Sequence, residues 1–326
     1  MVKNDMDLVF FRSENSRMSL KDLSKALRKS PQRLKYSISV MEKESILKLP
    51  HCVFDYSFFG LVLFKVYFRG SYVKEEDKLN IINTLSKNPY ITSLYELTGE
   101  FDLAVEFACP NPSRFNKELR LISSSIPTLN NYNIVLNLVT YISPRRYLTQ
   151  NENFRSQFSE KVIGGDREKL EFNSNEFAVM KSILLSPNSS VSSLAKISDL
   201  NVKTVKSALS SLAKRNIVRG FKFVIDTNKL GINKFIFFLK LHNLTLDKES
   251  QLMKFLLSSA EVTQVNKTVG DWDMEIDVEV FDKNKVRGLM THIRDEFKDI
   301  IEGFKTIDFY DYYKKKYLPM YLFEKG

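Results

Sequence analysis

The second half of this 326-residue chain repeats the first at a constant offset of 171 residues. Leu23 recurs as Leu194, Lys35 as Lys206, Ile46 as Ile217, Asp55 as Asp226 and Gly60 as Gly231, while Gly99-Glu100-Phe101-Asp102 recurs as Gly270-Asp271-Trp272-Asp273, with no gap between them. A period this long is not a solenoid repeat but a duplicated unit of several elements. Whatever one half builds, the chain builds twice, and an approximate twofold axis is the expected relation between the copies.

With 43% apolar and 27% charged residues the chain can bury several ordinary domain cores. Its longest apolar runs, such as Phe235-Ile236-Phe237-Phe238-Leu239, are strand-length and far short of a membrane span, and the N-terminus has no charged-then-apolar leader. A soluble, cytoplasmic protein without membrane contact is therefore expected. Cys52 and Cys109 are the only cysteines and lack metal-type spacing, so both are expected as small buried apolar residues rather than as a disulfide or a zinc site.

The charge is uneven. Residues 1–50 hold 11 Lys and Arg against 6 Asp and Glu, and residues 172–221 hold 7 against 2, so each window carries +5 and together they account for the net +10. A neutral body with two compact basic modules is the pattern of a protein that meets polyanions through those modules. A merely basic surface would have spread the excess along the chain.

Within each basic window the apolar spacing is that of short helices. Leu8, Val9 and Phe11 begin one, Ser19 precedes Leu20, Leu23 and Leu27 in a second, and Ser30-Pro31 opens a third with Leu34, Ile38 and Met41 on one face. Ser30 can accept from first-turn amides, and Pro31 suits a position where no N–H is needed. The second copy follows with Val191 and Leu194, then Asn201 as cap, then Val205, Leu209 and Leu212. A short strand pair is expected after each set (Ile46 to Phe54, Ile217 to Ile225), which makes each module a winged helix-turn-helix.

With those apolar residues inward, the third helix presents Ser30, Gln32, Arg33, Lys35, Tyr36 and Ser39 outward. Its copy presents Asn201, Lys203, Thr204, Lys206, Ser207 and Ser210. Long cations suit guanine edges or phosphates, an amide suits adenine, and small hydroxyls allow close approach, so duplex DNA is the expected partner. The bland alternative is a solvated helix face. Two such faces in two basic modules, each behind a short helix at the right distance, argue for readers.

The rest of each half reads as strand, helix, strand, strand, helix, strand: 61–68, 74–86, 91–98, 101–108, 112–124 and 133–142, then 234–242, 248–258, 262–269, 272–280, 283–297 and 304–313. Alternation such as Leu103, Val105, Phe107 marks half-buried antiparallel strands. The fold class is therefore α+β: two winged helix-turn-helix modules, each followed by a ferredoxin-like βαββαβ domain whose free sheet face packs on its copy, so that one chain is a pseudo-dimer. Expected boundaries are 1–56 and 57–148, a linker at 149–171, 172–227 and 228–318, and a tail at 319–326. The polar linker, broken by Gly164-Gly165 and carrying Phe154, Phe158 and Val162 at helical spacing, reads as a tether, with a partner-binding helix as the alternative.

This ordered set resembles the Lrp/AsnC feast/famine regulators. The residues that carry the likeness are Arg17 to Ala26 running into Ser30-Pro31, Phe59-Gly60 and Leu230-Gly231 at the domain junctions, and the Gly-acidic-aromatic-Asp turns. The resemblance covers nearly the whole chain, twice, and implies a transcription regulator whose sheet domains dimerise, with further homo-oligomerisation open. It also implies binding of a small effector such as an amino acid, with Gly99, Asp102, Gly270 and Asp273 as the site. The competing reading of those residues is glycine for a positive φ angle and aspartate capping the turn. Two departures stand out: Ser45 and Asn216 occupy the place of the glycine that usually precedes the wing, and Asn201-Val202 replaces Ser-Pro in the second copy.

An enzyme has to be weighed beside this. His51, His242 and His292 are not paired at ligand spacing, and there is no phosphate-cradling glycine loop or nucleophile motif, so no cofactor, metal or catalytic residue is expected. A branch of the same family nevertheless decarboxylates sirohaem on this fold, and that is the alternative function.

Overall fold

Three short helices open each half. They are α1 (Met6–Glu14), α2 (Leu20–Leu27) and α3 (Pro31–Lys43) in the first, and α7 (Ser174–Leu185), α8 (Val191–Ser198) and α9 (Val202–Lys214) in the second. The computed structural model describes residues 5–70, 72 and 74–324. Side-chain caps set the helix starts: Ser19 Oγ accepts from the Asp22 amide at 3.1 Å, Ser30 Oγ from Arg33 at 3.3 Å and Asn201 Oδ1 from Thr204 at 2.8 Å. Ser45 and Asn216 take the left-handed conformation expected of the missing glycine, with φ of 57° and 60°.

The wings are built differently from the expected pairs. Each module supplies a single strand, β1 (Leu47–Phe54) and β7 (Val218–Ile225), and the two pair antiparallel with each other. After β1 the chain turns through Tyr56–Phe59 straight into the next domain, so it never folds back to make a hairpin. The register is twofold-symmetric at its ends and centre, with Leu47 opposite Ile225, Phe54 opposite Val218 and His51 opposite Lys222, and irregular between them. Each strand also enters the other module's core: Phe223 and Ile225 pack with Leu8 to Phe11, while Cys52, Val53 and Phe54 pack with Val179, Met180, Leu194 and Leu212.

The first sheet domain comprises β2 (Val62–Phe68), α4 (Glu75–Lys87), β3 (Ile91–Thr98), β4 (Leu103–Cys109), α5 (Pro112–Ser125) and β5 (Tyr132–Ile142). The linker carries α6 (Glu152–Arg155) and β6 (Lys161–Gly164). The second domain comprises β8 (Asn233–Leu241), α10 (Leu246–Ser258), β9 (Val262–Gly270), β10 (Met274–Val280), α11 (Lys283–Glu296) and β11 (Ile301–Lys315). The expected packing of two separate sheets is corrected by their edges. Strand order β2-β4-β3-β11-β8-β10-β9-β5 returns to β2, so the two sheets form one closed barrel, and β6 takes up the rest of one β5 edge.

Closure removes the unpaired strand edges that invite aggregation. It also buries both strand faces, correcting the half-buried reading. Leu103, Val105 and Phe107 face α4 and α5, whereas Tyr67, Tyr95 and Ala104 meet Ile236, Phe238 and Ile307 inside the barrel.

The linker is not a loose tether. Phe154 and Phe158 lie edge-on to Phe11 and Phe10, with ring centroids 5.1 and 5.5 Å apart, and Ile163 joins the second module's core. Gly164 has φ +84°, and a Cβ there would lie 2.6 Å from both the Leu138 carbonyl oxygen and the Tyr56 hydroxyl, so only glycine fits. Nor is the C-terminal stretch a free tail: Phe323 is buried in that core and Tyr321 stacks on Tyr90 at 4.2 Å. Cleaving the exposed bond between Glu168 and Lys169 should therefore leave the halves together. Gel filtration of the nicked protein is expected to give one full-sized species, and two half-sized species would contradict the pairing described above.

Candidate nucleic-acid interface

Helix α3 is positioned by its buried stripe, Leu34, Ile38 and Met41, which seats it on Leu8, Leu23 and Leu27. The opposite face is bare: Ser30, Gln32, Arg33, Lys35, Tyr36 and Ser39 are all exposed, Tyr36 by 72%. An aromatic side chain left that far in water contributes nothing to the core. Helix α9 is seated by Val205, Ala208 and Leu212, with Leu209 half-buried beside them. It exposes Asn201, Lys203, Lys206, Ser207 and Ser210, and holds Thr204 half-buried. A groove of about 390 Å³ separates this face from the first turn of α7, where Asn173 caps the helix and Glu176 accepts from Ser211 and pairs with Arg215.

Not all of the basic excess faces solvent. Arg12 reaches Glu42, and Lys48 lies between Asp226 and Asp311. The cations left exposed include Lys25, Arg28, Arg33 and Lys35 in one module and Lys196, Lys203, Lys206 and Lys214 in the other. They lie on or beside the two helix pairs that contain the bare faces.

A second feature lay outside the sequence reading. Between the β1–β7 pair and the barrel is a cavity of about 40 Å³ lined by His51, Arg145, Lys222, Lys234, Asp277 and Lys315, among others. The cations there are internally matched: Lys222 to Glu14 at 2.7 Å, Arg145 to Glu279 at 2.9 Å, Lys234 to Asp277 at 3.0 Å and Lys315 to Glu106 at 3.5 Å. His51 and Lys222 occupy the same position in the repeat and meet across the strand pair. The His51 Nδ1–H donates to the Leu49 carbonyl at 2.9 Å. Burial drives its pKa down to about 3, and Lys315, Lys222 and Arg145 push the same way. Burial also lowers Lys222 to about 8. The one signal in the sequence was polar residues at matching places in two otherwise apolar strands.

The glycine-acidic turns come together at the barrel mouth. Gly99 and Gly270 have φ of +121° and +146°, as the competing reading required. Phe101 and Trp272 flank Phe238, and Lys305 lies over both rings while pairing with Glu100. The Asp273 carboxylate accepts from the Leu241 amide at 2.8 Å and pairs with Lys240 at 3.3 Å. The Asp102 backbone closes its own turn, donating to the Phe68 carbonyl and accepting from the Leu97 amide.

No protein-family model matches the chain. Over 122 residues it is 27% identical to an uncharacterized HTH-type transcriptional regulator of Pyrococcus furiosus, a match spanning 36% of this chain and 79% of that protein. Among solved structures, the siroheme decarboxylase NirDL aligns over 97% of this chain and 94% of its own, with a TM-score of 0.57 and 14% identity. An AsnC family transcriptional regulator from Agrobacterium tumefaciens aligns over 41% of this chain and 88% of its own, with a TM-score of 0.36 and 13% identity. The full-length likeness is one of fold. Among the described residues no helix is long and apolar enough to cross a membrane.

Proposed function

We propose that this chain is a sequence-specific duplex-DNA-binding transcription regulator of the Lrp/AsnC type, in which one polypeptide supplies both reading heads. The observation that carries the reading is the pair of capped helices, α3 and α9, each bare on its polar face and each set in a basic module of a single closed frame. The similarity to an HTH-type transcriptional regulator supports it. A small effector such as an amino acid would act at the barrel mouth, where it would have to displace Lys240 from Asp273.

Phosphate contacts predict a steep loss of affinity with salt, about −0.9 in log K against log[salt] for each contact. A flat response between low and moderate salt would sink the reading. Replacing Arg33 with Ala should cost about 1–3 kcal/mol of binding if the guanidinium reads a base, whereas Lys206→Ala should weaken all sequences alike if the ammonium meets phosphate.

A second reading, a sirohaem decarboxylase-like enzyme, draws on the likeness to NirDL and on the basic cavity that contains His51. It is less favoured because 40 Å³ holds a few waters, whereas sites for ligands of drug size or larger occupy roughly 300–1,000 Å³. The four cations around the cavity are also already matched to carboxylates. Adding a tetrapyrrole and scanning its absorbance tests this directly, and a saturable band shift would revive the enzyme.

A further inference from the structure

The two reading helices stand in the same frame but do not carry the same face. Helices α3 and α9 occupy matching positions in the repeat, residue 31 aligning with 202 and residue 43 with 214, and the strands that follow them pair in a symmetric register. A symmetric frame presents its two helices to DNA in equivalent poses, so any difference in what they read lies in the side chains. Lys35 and Lys206 agree. Gln32, Arg33 and Tyr36 are replaced by Lys203, Thr204 and Ser207.

From this we infer that the operator is an imperfect palindrome whose half-sites differ, the one under α3 being read stringently and the one under α9 loosely. The inference rests on the DNA-binding reading above. Arg33 is exposed and can fork onto a guanine edge, Gln32 can do so onto adenine, and Tyr36, 72% exposed, adds an apolar surface. The α9 face lacks such a planar fork. Lys203 and Lys206 are point charges that suit phosphates, Ser207 is a short hydroxyl, and Thr204 is half-buried where the face borders Asn173, the cap of α7. An ammonium on a flexible stem holds a phosphate in many geometries, so α9 contributes affinity with little discrimination.

The experiment is binding-site selection by the full-length chain from a random duplex library. It is followed by titration of the selected site and of its two symmetrised versions. We expect an asymmetric consensus with most of the information in one half. The duplex carrying two α9-type half-sites should bind roughly 5- to 150-fold more weakly than the selected site, as the loss of one good bidentate base contact implies. Arg33→Ala should flatten the preference at a position in the stringent half only, whereas Lys206→Ala should weaken binding without changing the consensus. A symmetric consensus bound tightly by the wild-type chain overturns the inference and leaves the DNA-binding reading standing. Failure to bind any duplex overturns both.

Discussion

Replacing Lys65 with Met should destabilise the protein by about 3–5 kcal/mol, the usual consequence of stranding one member of a buried ion pair. Lys65 Nζ lies 2.5 Å from Glu275 Oε2, and the two side chains are 3% and 1% exposed. Glu275 also accepts from the Tyr67 hydroxyl at 2.8 Å and from Asn266 at 3.3 Å. Burial alone would lower the Lys65 pKa, but Glu275 and Glu106 outweigh it and hold it above the ordinary lysine value, so the ammonium stays charged. Met fills similar volume and leaves the buried carboxylate with its two neutral donors but without its cation. Urea unfolding measures the loss, and the double variant Lys65→Met with Glu275→Gln should recover a large part of it by removing the orphan charge. A Lys65→Met protein within about 1 kcal/mol of the parent would contradict the pairing. The two residues come from opposite halves of the chain, so the same measurement tests the barrel as a joint product of both.

Acidification from pH 6.5 to pH 5 should cost on the order of 2 kcal/mol of stability, and His51 should account for it. The unfolded chain takes up a proton on this imidazole near pH 6.5, whereas the folded state refuses it until about pH 3. A folded pKa below the unfolded one means a contribution fully present above pH 6.5 and lost at about 1.4 kcal/mol per pH unit as pH falls through the window between the two values. His242 and His292 are exposed, so His51 is the buried histidine. In the variant His51→Gln the stability profile from pH 6.5 to 5 should be nearly flat, and an unchanged slope would acquit His51. Below about pH 4.5 a further loss sets in for both proteins. Burial would raise Glu279, but Arg145 and Lys234 outweigh it and hold it at about 2, so its stabilisation disappears as pH falls through that range.

Much of the local structure was legible because it depends on near neighbours. Ser30-Pro31, Ser19 and Asn201 mark helix starts through hydrogen bonds that reach three residues, and all three cap the helices they precede. The apolar stripe of α3 follows from a period of 3.6 residues, and its complement, including Arg33 and Lys35, is the face left in water. The repeat also carried over at the level of elements: α4 and α10, and α5 and α11, begin and end 171 residues apart.

The charged residues of the strands were not legible in the sequence, for a physical reason. Lys65, Glu106, Lys234, Glu275, Asp277 and Glu279 alternate with apolar neighbours, which along one strand looks the same as a solvent-facing row. They turn inward because the barrel closes over them, and they can stay there because each finds its opposite charge on another strand.

Sequence by itself determined the two helices that carry the polar faces, their caps at Ser30 and Asn201, the strand–helix order of the two sheet domains and the repeat between the halves, since each follows from spacing within a dozen or so residues or from direct comparison of the halves. Tertiary structure alone decided that β1 pairs with β7, that two sheets share edges to become one barrel, that linker and tail fill the module cores, and that His51 is buried beside four matched cations. Strand partners and buried charges depend on contacts between residues as far apart as Lys65 and Glu275, and a one-dimensional pattern does not say which edge or which charge will be nearest once the chain has closed on itself.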